Sequence, residues 1–424
     1  MRRKYQSLLG ALALTVASGC GGGNGSPAVY QNSVVVRSTT KILPRDGSAV
    51  ITKLDGSHLK IIGTGVPTIN VGDVIVSAAG EGALYKATSV APTSGGVTVG
   101  VQAANLADAL QKMNTHLTVP ISQDHTKSIT TGSGVTASWI TKSAGRASGK
   151  SLLHFDVPLY TLYDRDGNSS TKNDQLNLVA TVDINPSGFF NVDADWSLLG
   201  PSLQKVEAGL NLDAGVDVNL QRGKDLGGDL GDILKVEKKG DISLGTVELE
   251  PIIFDVGVLP VVISQTVSFS LHYELTLDAD LNPHLTTSVS GRIGAGYSGG
   301  NGYVIQELSS SGLDFNFKFG QINGSSRVDL PLITYQAKLY GLVGPEISAG
   351  PYFQGDLTAV LLPPSMDISA SLGAEGTVGF HTTILGEKLD YSHTLADVKF
   401  WSKTYHRDVN SSADVTIKSV KGKN

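Results

Sequence analysis

The stretch VEAGLNLDAGVDVNL, residues 206–220, alternates without a fault. Val206, Ala208, Leu210, Leu212, Ala214, Val216, Val218 and Leu220 fill the even positions, and Glu, Gly, Asn or Asp fill the odd ones. Successive side chains of a β-strand point to opposite faces, so this pattern specifies a strand with one dry face and one wet face. At about 3.3 Å per residue it extends roughly 50 Å if unbroken, with Gly209 and Gly215 as places where it can bend. The odd positions from Val261 to Leu281 repeat the alternation, interrupted at Gln265, and DISASLGAEGTVGFHTTIL does so again from Ile368 to Ile384. Strands of this length pair as broad antiparallel hairpins, and the expected fold of residues 151–410 is a large antiparallel β-sandwich or roll with long amphipathic strands. A membrane-spanning barrel is the competing architecture. It calls for aromatic girdles at both interfaces, whereas these apolar faces are mainly Val, Leu, Ile and Ala.

Ahead of this region, residues 32–118 read as a small β-barrel or sandwich. Short runs such as SAVITKL, HLKIIGTG, GDVIVSAA and GGVTVGVQ are separated by turn dipeptides at Asp46, Asp55 and Gly95. One short helix is expected in NLADALQKM, with Leu106, Leu110 and Met113 on one face and the Asn105/Asp108 pair at its start. Residues 119–150, rich in Ser, Thr and Gly, read as a transition, and residues 411–424 as a polar tail. The 50 glycines and the scarcity of aromatic residues agree with a mainly β chain.

The chain contains a single cysteine, Cys20, which rules out disulfide frameworks and Cys-based zinc sites within one chain. Its surroundings are specific. MRRKYQSLLGALALTVASGC has a basic start, an apolar stretch from Leu8 to Val16 too short to span a bilayer as a helix, and small residues up to the cysteine. The final ASGC resembles the lipobox of bacterial lipoproteins, with Ala17 where that family most often has leucine. The resemblance implies removal of residues 1–19 as a signal peptide and a diacylglyceryl thioether on Cys20, with N-acylation of the new amino terminus. Residues 20–31, beginning with Gly21, Gly22 and Gly23, then form a flexible tether. Gly21, rather than Asp, after the cysteine implies sorting to the outer membrane. A plain signal peptide with an incidental cysteine is the simpler alternative.

A second resemblance covers about forty residues. The segment from Val71 to Gln111 is similar to a stretch of uncharacterised bacterial exported β-rich proteins, and it implies no activity. The formal charge of -6 falls to -9 once Arg2, Arg3 and Lys4 leave with the leader, so nucleic acid is not an expected partner.

Candidate chemistry is sparse. Asp164, Asp166, Asn168 and Asp174 in DRDGNSSTKND offer oxygen ligands for calcium, but Gly167 stands fourth rather than sixth and Gln175 occupies the twelfth position, where an EF-hand needs a bidentate acid. A β-turn exposing acids is the plainer reading. DLGGDLGD, with Asp225, Asp229 and Asp232, reads as a solvated loop. GRASGKS departs from the phosphate-loop spacing at Gly145 and Gly149, and GAGYSGG, with Gly294, Gly296 and Gly299, lacks the helix that a dinucleotide fingerprint needs. No two histidines lie within five residues of each other, and His272 and His381 fall on the wet parity of their strands. YGLVGPEISAGPY, residues 340–352, reads as a corner between sheets.

No cofactor is expected beyond the lipid on Cys20. The expected protein is an envelope lipoprotein acting as a non-enzymatic binding, adhesive or structural module, with the bilayer and a protein, glycan or lipid ligand as partners. A carrier that encloses hydrophobic ligands between its long strands, or an envelope-biogenesis factor, is the alternative. A hydrolase of envelope polymers comes third.

Overall fold

A computed structural model describes residues 29–80, 82–142, 150–197, 200–227, 235–256, 258–278, 284–317, 324–340, 345–361, 364–384, 387–408 and 415–418. The chain is mainly β, as its alternation predicts. It begins with β1 (Val29–Val36), followed by β2 (Thr40–Ile42), β3 (Val50–Lys53), β4 (His58–Ile62), β5 (Val74–Ser77), β6 (Ala83–Thr93) and β7 (Gly96–Ala103). One helical turn, α1 (Leu106–Ala109), leads into β8 (Leu110–Pro120), β9 (Thr126–Thr131), β10 (Thr136–Lys142), β11 (Lys150–Asp164), β12 (Gln175–Ile184), β13 (Ser187–Ser197) and β14 (Gly200–Arg222). Next come β15 (Lys235–Leu249), β16 (Ile252–Val256), β17 (Leu259–Asp278), β18 (His284–Ser298) and β19 (Asn301–Phe317). The last strands are β20 (Gly324–Leu339), β21 (Pro345–Leu361), β22 (Pro364–Ile384), β23 (Glu387–Asp408) and β24 (Val415–Lys418).

Three sheets result. A ten-stranded sheet is centred on β14, with β13 and β12 along one edge of that strand and β18, β19 and β24 beyond the other. An eight-stranded sheet runs β23-β22-β21-β20-β17-β15-β9, with β16 beside β17. The six-stranded sheet runs β2-β5-β6-β7-β4-β3, and its β2/β5 pair is parallel. The fifteen-residue alternation of 206–220 lies within the unbroken 23-residue strand β14. Its even-numbered side chains from Val206 to Leu220 are buried, and so are Val261, Ile263, Val267, Phe269, Leu271 and Tyr273 of β17. Both rows belong to a single apolar core between the two large sheets, where the rings of Phe155 and Phe269 meet at 5.1 Å. Burying such rows, at roughly 25 cal/mol per Å² of apolar surface, is the main force holding the sheets together.

Each large sheet contains one strand broken by proline. β12 and β13 keep a common register along β14, with Ile184 opposite Ala214 and Ser187 opposite Asn211, and Asn185–Pro186 fills the gap between them. β15 and β16 likewise share one edge of β17 on either side of Glu250–Pro251, with the register moved by one residue between Glu248 opposite Thr266 and Ile252 opposite Ile263. The local sequences are alike: TVDINP at 181–186 and TVELEP at 246–251. Proline has no N–H to give to a ladder, so a strand containing it must lose a rung there. The chain uses these two gaps to cross between sheets. Leaving β8, Ile121 N–H donates to the carbonyl of Pro186 at 3.3 Å, and four residues on the His125 carbonyl accepts from Glu250 N–H at 2.8 Å, just before β9 joins the other sheet.

The boundaries drawn from sequence shift as a result. β1 and β8, expected in the small domain, pair with each other in the ten-stranded sheet, where β8 also pairs with β13. The 119–150 transition supplies β9 and β10, an edge strand for each large sheet. Part of the polar tail, Val415–Lys418, pairs with β19. The small sheet is also not free-standing. Ile75 points into its own core, with Leu59, Ile61 and Val99, while Val74 and Val76 on the opposite face of β5 join the main core.

The expected helix is present but stops at Ala109. Asp108 accepts from Asn105 N–H at 3.0 Å as expected of the start signal, yet Leu110 is already extended and Met113 lies opposite Val34 and Ala194. Two open strand edges, β1 and β13, recruit these residues, and tertiary pairing overrides their weak helical preference.

Candidate functional site

Cys20, the proposed lipid attachment point, lies outside the described residues, as do Asp229, Asp232, Gly145 and Gly149. The candidate site that is described is the acidic hairpin joining β11 to β12. Carboxylate oxygens of Asp164, Asp166 and Asp174 all lie within 4.8 Å of one another. Asn168, the fourth residue of the expected oxygen set, is not part of this convergence; its side-chain oxygen accepts from Ser170 N–H at 3.1 Å and closes a turn.

Most oxygens of the cluster already have donors. Asp164 accepts from Gly167 N–H and from the Gln175 amide, and Asp166 accepts from Asn168 N–H at 2.7 Å and Thr171 Oγ1 at 2.8 Å. The Asn168 N–H and Thr171 hydroxyl bonds hold the Asp166 carboxyl below its ordinary range. Asp174 Oδ2 accepts from Asp166 N–H at 3.1 Å, while its Oδ1 is buried with no hydrogen-bond partner. Such an oxygen-only donor set suits a hard cation such as calcium, which takes six to eight oxygen ligands. Here three carboxylates converge, and their chief visible work is to tie the hairpin to itself.

The second acidic segment packs on the first. Asp225 N–H donates to the Asn173 carbonyl at 2.7 Å, and a Cβ on Gly223 would lie 2.2 Å from that same oxygen. Only glycine allows the two loops to approach so closely.

The glycine motif at 294–299 is a hairpin. Gly294 and Gly296 lie in β18, the space over Gly296 is filled by the Tyr303 ring, and Gly299 and Gly300 adopt left-handed φ of 57° and 86° at the turn. The segment from residue 340 is mostly strand β21 rather than a corner. Its first residue, Tyr340, has a left-handed φ of 52° and donates its hydroxyl to the Pro260 carbonyl. That ring packs against Gly82 of the small domain, where a Cβ would come within 2.8 Å of it.

Histidines acquire partners that linear spacing does not reveal. His154 Nδ1 lies 2.7 Å from Asp183, His272 Nδ1 2.9 Å from Asp241, His284 Nε2 2.9 Å from Asp217, and His406 Nδ1 2.6 Å from Asp367. All four pairs join neighbouring antiparallel strands on faces turned away from the core. His381 lies opposite Asp390 in the β22/β23 register. No sequence signal short of the strand register could have paired them.

The same outward faces bear on the membrane. Glu207, Asn211, Asp213, Asp217 and Asn219 project from β14 away from the core, whereas a lipid-facing barrel strand turns its apolar side outward. Burial pushes the Glu207 carboxyl up, but hydrogen bonds from Lys205, Asn191 and the Tyr303 hydroxyl outweigh it and hold the group below its ordinary range. Among the described residues, no helix is long and apolar enough to cross a membrane. The apolar side chains of β14 from Val206 to Leu220 and of β17 from Val261 to Tyr273 are buried in one common cluster. No protein-family model, curated protein or solved structure matches this chain.

Proposed function

We propose that the chain is an exported lipoprotein of the bacterial envelope, held at the outer membrane by a lipid on Cys20, whose β-sandwich acts as a binding module. The observation that carries this reading is the position of the sole cysteine, directly after Ala17, Ser18 and Gly19 at the end of a basic and apolar leader. The geometry of the rest is compatible with it. β1 begins at Val29, so eight residues separate the anchor from the edge of the ten-stranded sheet, a reach of at most about 30 Å. A protein held this close presents its sheet faces near the membrane surface, and the outward face of β14, with Glu207, Asn211, Asp213, Asp217 and Asn219, is polar, as a module for a protein or glycan ligand requires.

The test is metabolic labelling with an alkyne-bearing fatty acid in a bacterial host. The wild-type chain takes up the label and sediments with membranes, and Cys20→Ser abolishes both. A Cys20→Ser chain that still carries the label or stays with the membrane overturns the reading.

A further inference from the structure

One of the four His–Asp pairs differs from the rest. β10, β11 and β12 are consecutive strands of the ten-stranded sheet, and their registers place Ser138 opposite His154 and His154 opposite Asp183. The three residues therefore form one row on the outer face, in the order hydroxyl, imidazole, carboxylate. Ser138 is exposed, and His154 and Asp183 are partly buried, with side chains 29% and 21% accessible. Facing residues on adjacent antiparallel strands have Cβ atoms about 4.5–5.5 Å apart, which sets Ser138 and His154 side by side on this face.

The tautomer follows from the contact. Asp183 Oδ1 sits 2.7 Å from His154 Nδ1, and a carboxylate can only accept there, so in the neutral imidazole Nδ1 carries the hydrogen and Nε2 the lone pair. The other pairs lack this arrangement. Across its free flank His272 meets Asp329, His284 meets Asn316, and His406 belongs to the edge strand β23. In the 55–58 turn, Ser57 and Asp55 both engage the same nitrogen, His58 Nδ1, which cannot be held by one and accept a proton from the other.

We infer that Ser138 is an activated nucleophile that takes up acyl groups from accessible esters, with His154 as its base and Asp183 as the residue that positions the ring. The Ser138 Oγ attacks the ester carbonyl carbon while His154 Nε2 takes the hydroxyl proton. The tetrahedral intermediate collapses, the C–O bond to the leaving alcohol breaks, and His154 returns the proton to that oxygen. Water then attacks the acyl-serine by the same route, releasing a carboxylic acid and restoring Ser138. A base on an open sheet face contributes about 10²- to 10⁴-fold, so acylation is rapid relative to an ordinary surface serine while turnover is slow. The substrate class is an ester carried on an exposed chain or surface that can lie against a flat sheet.

The test uses the full-length protein in detergent, a fluorophosphonate probe and p-nitrophenyl acetate, with adducts located by peptide mass spectrometry. Ser138 carries the adduct in the wild type. Ser138→Ala removes it, and Asp183→Asn, which keeps a hydrogen-bonding group of the same shape, slows labelling at least tenfold with an unchanged melting temperature. Asp241→Asn, in the His272 pair, leaves labelling unchanged. A wild-type protein with no adduct on Ser138, or equal labelling in a folded His154→Ala chain, overturns the inference. Neither outcome depends on Cys20, so this reading and the lipoprotein reading fail separately.

Discussion

The hydroxyl of Tyr335 donates to Oε1 of Gln265 at 2.9 Å, and both residues are 3% exposed in the space between the two large sheets. Gln265 is the residue that interrupts the alternation of β17. Its Nε2 has no acceptor, and the Tyr335 oxygen and Gln265 Oε1 fill the place where a side chain on Gly188 would stand.

A buried polar pair in an apolar core makes an asymmetric prediction. Tyr335→Phe leaves the Gln265 amide with neither donor nor acceptor satisfied and should cost about 1–3 kcal/mol, whereas the double variant with Gln265→Leu should recover most of that loss. Urea denaturation of the four members of the cycle measures it. Additive losses would mean that the two side chains do not depend on each other.

Two glycines of β14 that look equivalent in sequence should respond in opposite ways to alanine. A Cβ on Gly209 would lie 2.3 Å from the Ile293 carbonyl oxygen and 2.5 Å from the Phe189 ring, which covers that glycine under the Arg292 guanidinium. A Cβ on Gly215 meets nothing closer than Ser288 Oγ at 4.0 Å. Gly209→Ala should therefore destabilise by about 1–3 kcal/mol, and Gly215→Ala should stabilise by up to about 1 kcal/mol through the unfolded chain. Thermal melts of the two variants decide it, and equal shifts would contradict the packing described.

This contrast also marks what the sequence could convey. Period-two alternation identified β14, β17 and β22 and the side of each that is buried, because one face of a sheet must leave water wherever it meets another sheet. It could not say which strands are neighbours, since pairing depends on register and on contacts far apart in the chain. The sheet membership of β1, β8, β9 and β10, the His–Asp pairs and the proline-flanked crossing at Ile121–His125 all depend on that missing information. At the acidic hairpin the sequence showed a turn rich in oxygen donors, but which of them converge, Asp164, Asp166 and Asp174 without Asn168, depends on how the turn folds.

The turn before β4 predicts an acid-range titration. The Ser57 N–H, followed by the His58 ring, lowers the Asp55 carboxyl from 3.8 to about 2. A depressed carboxyl adds stability that is fully present above its unfolded value and is lost as the pH falls through the folded one, here between about 4 and 2. Carboxyl-detected NMR should place the Asp55 midpoint near 2 in the wild type and higher in His58→Ala. A midpoint near 4 in the wild type would show that the turn does not hold the charge.

At the acidic hairpin, three carboxylates within 4.8 Å and a buried, unpartnered Asp174 Oδ1 imply mutual repulsion. Asp174→Asn keeps an oxygen for Asp166 N–H and removes one charge. In chelator-containing buffer it should raise the melting temperature by about one to a few degrees. A lower melting temperature would mean that the Asp174 charge supports the hairpin rather than straining it.

The most direct measurement is the intact mass of the mature protein extracted from bacterial membranes, with fragmentation of its amino terminus. Envelope anchoring through Cys20 predicts a chain that starts at residue 20 and carries a diacylglyceryl thioether there. A chain that retains residues 1–19, or one that is cut without any lipid on Cys20, would contradict it.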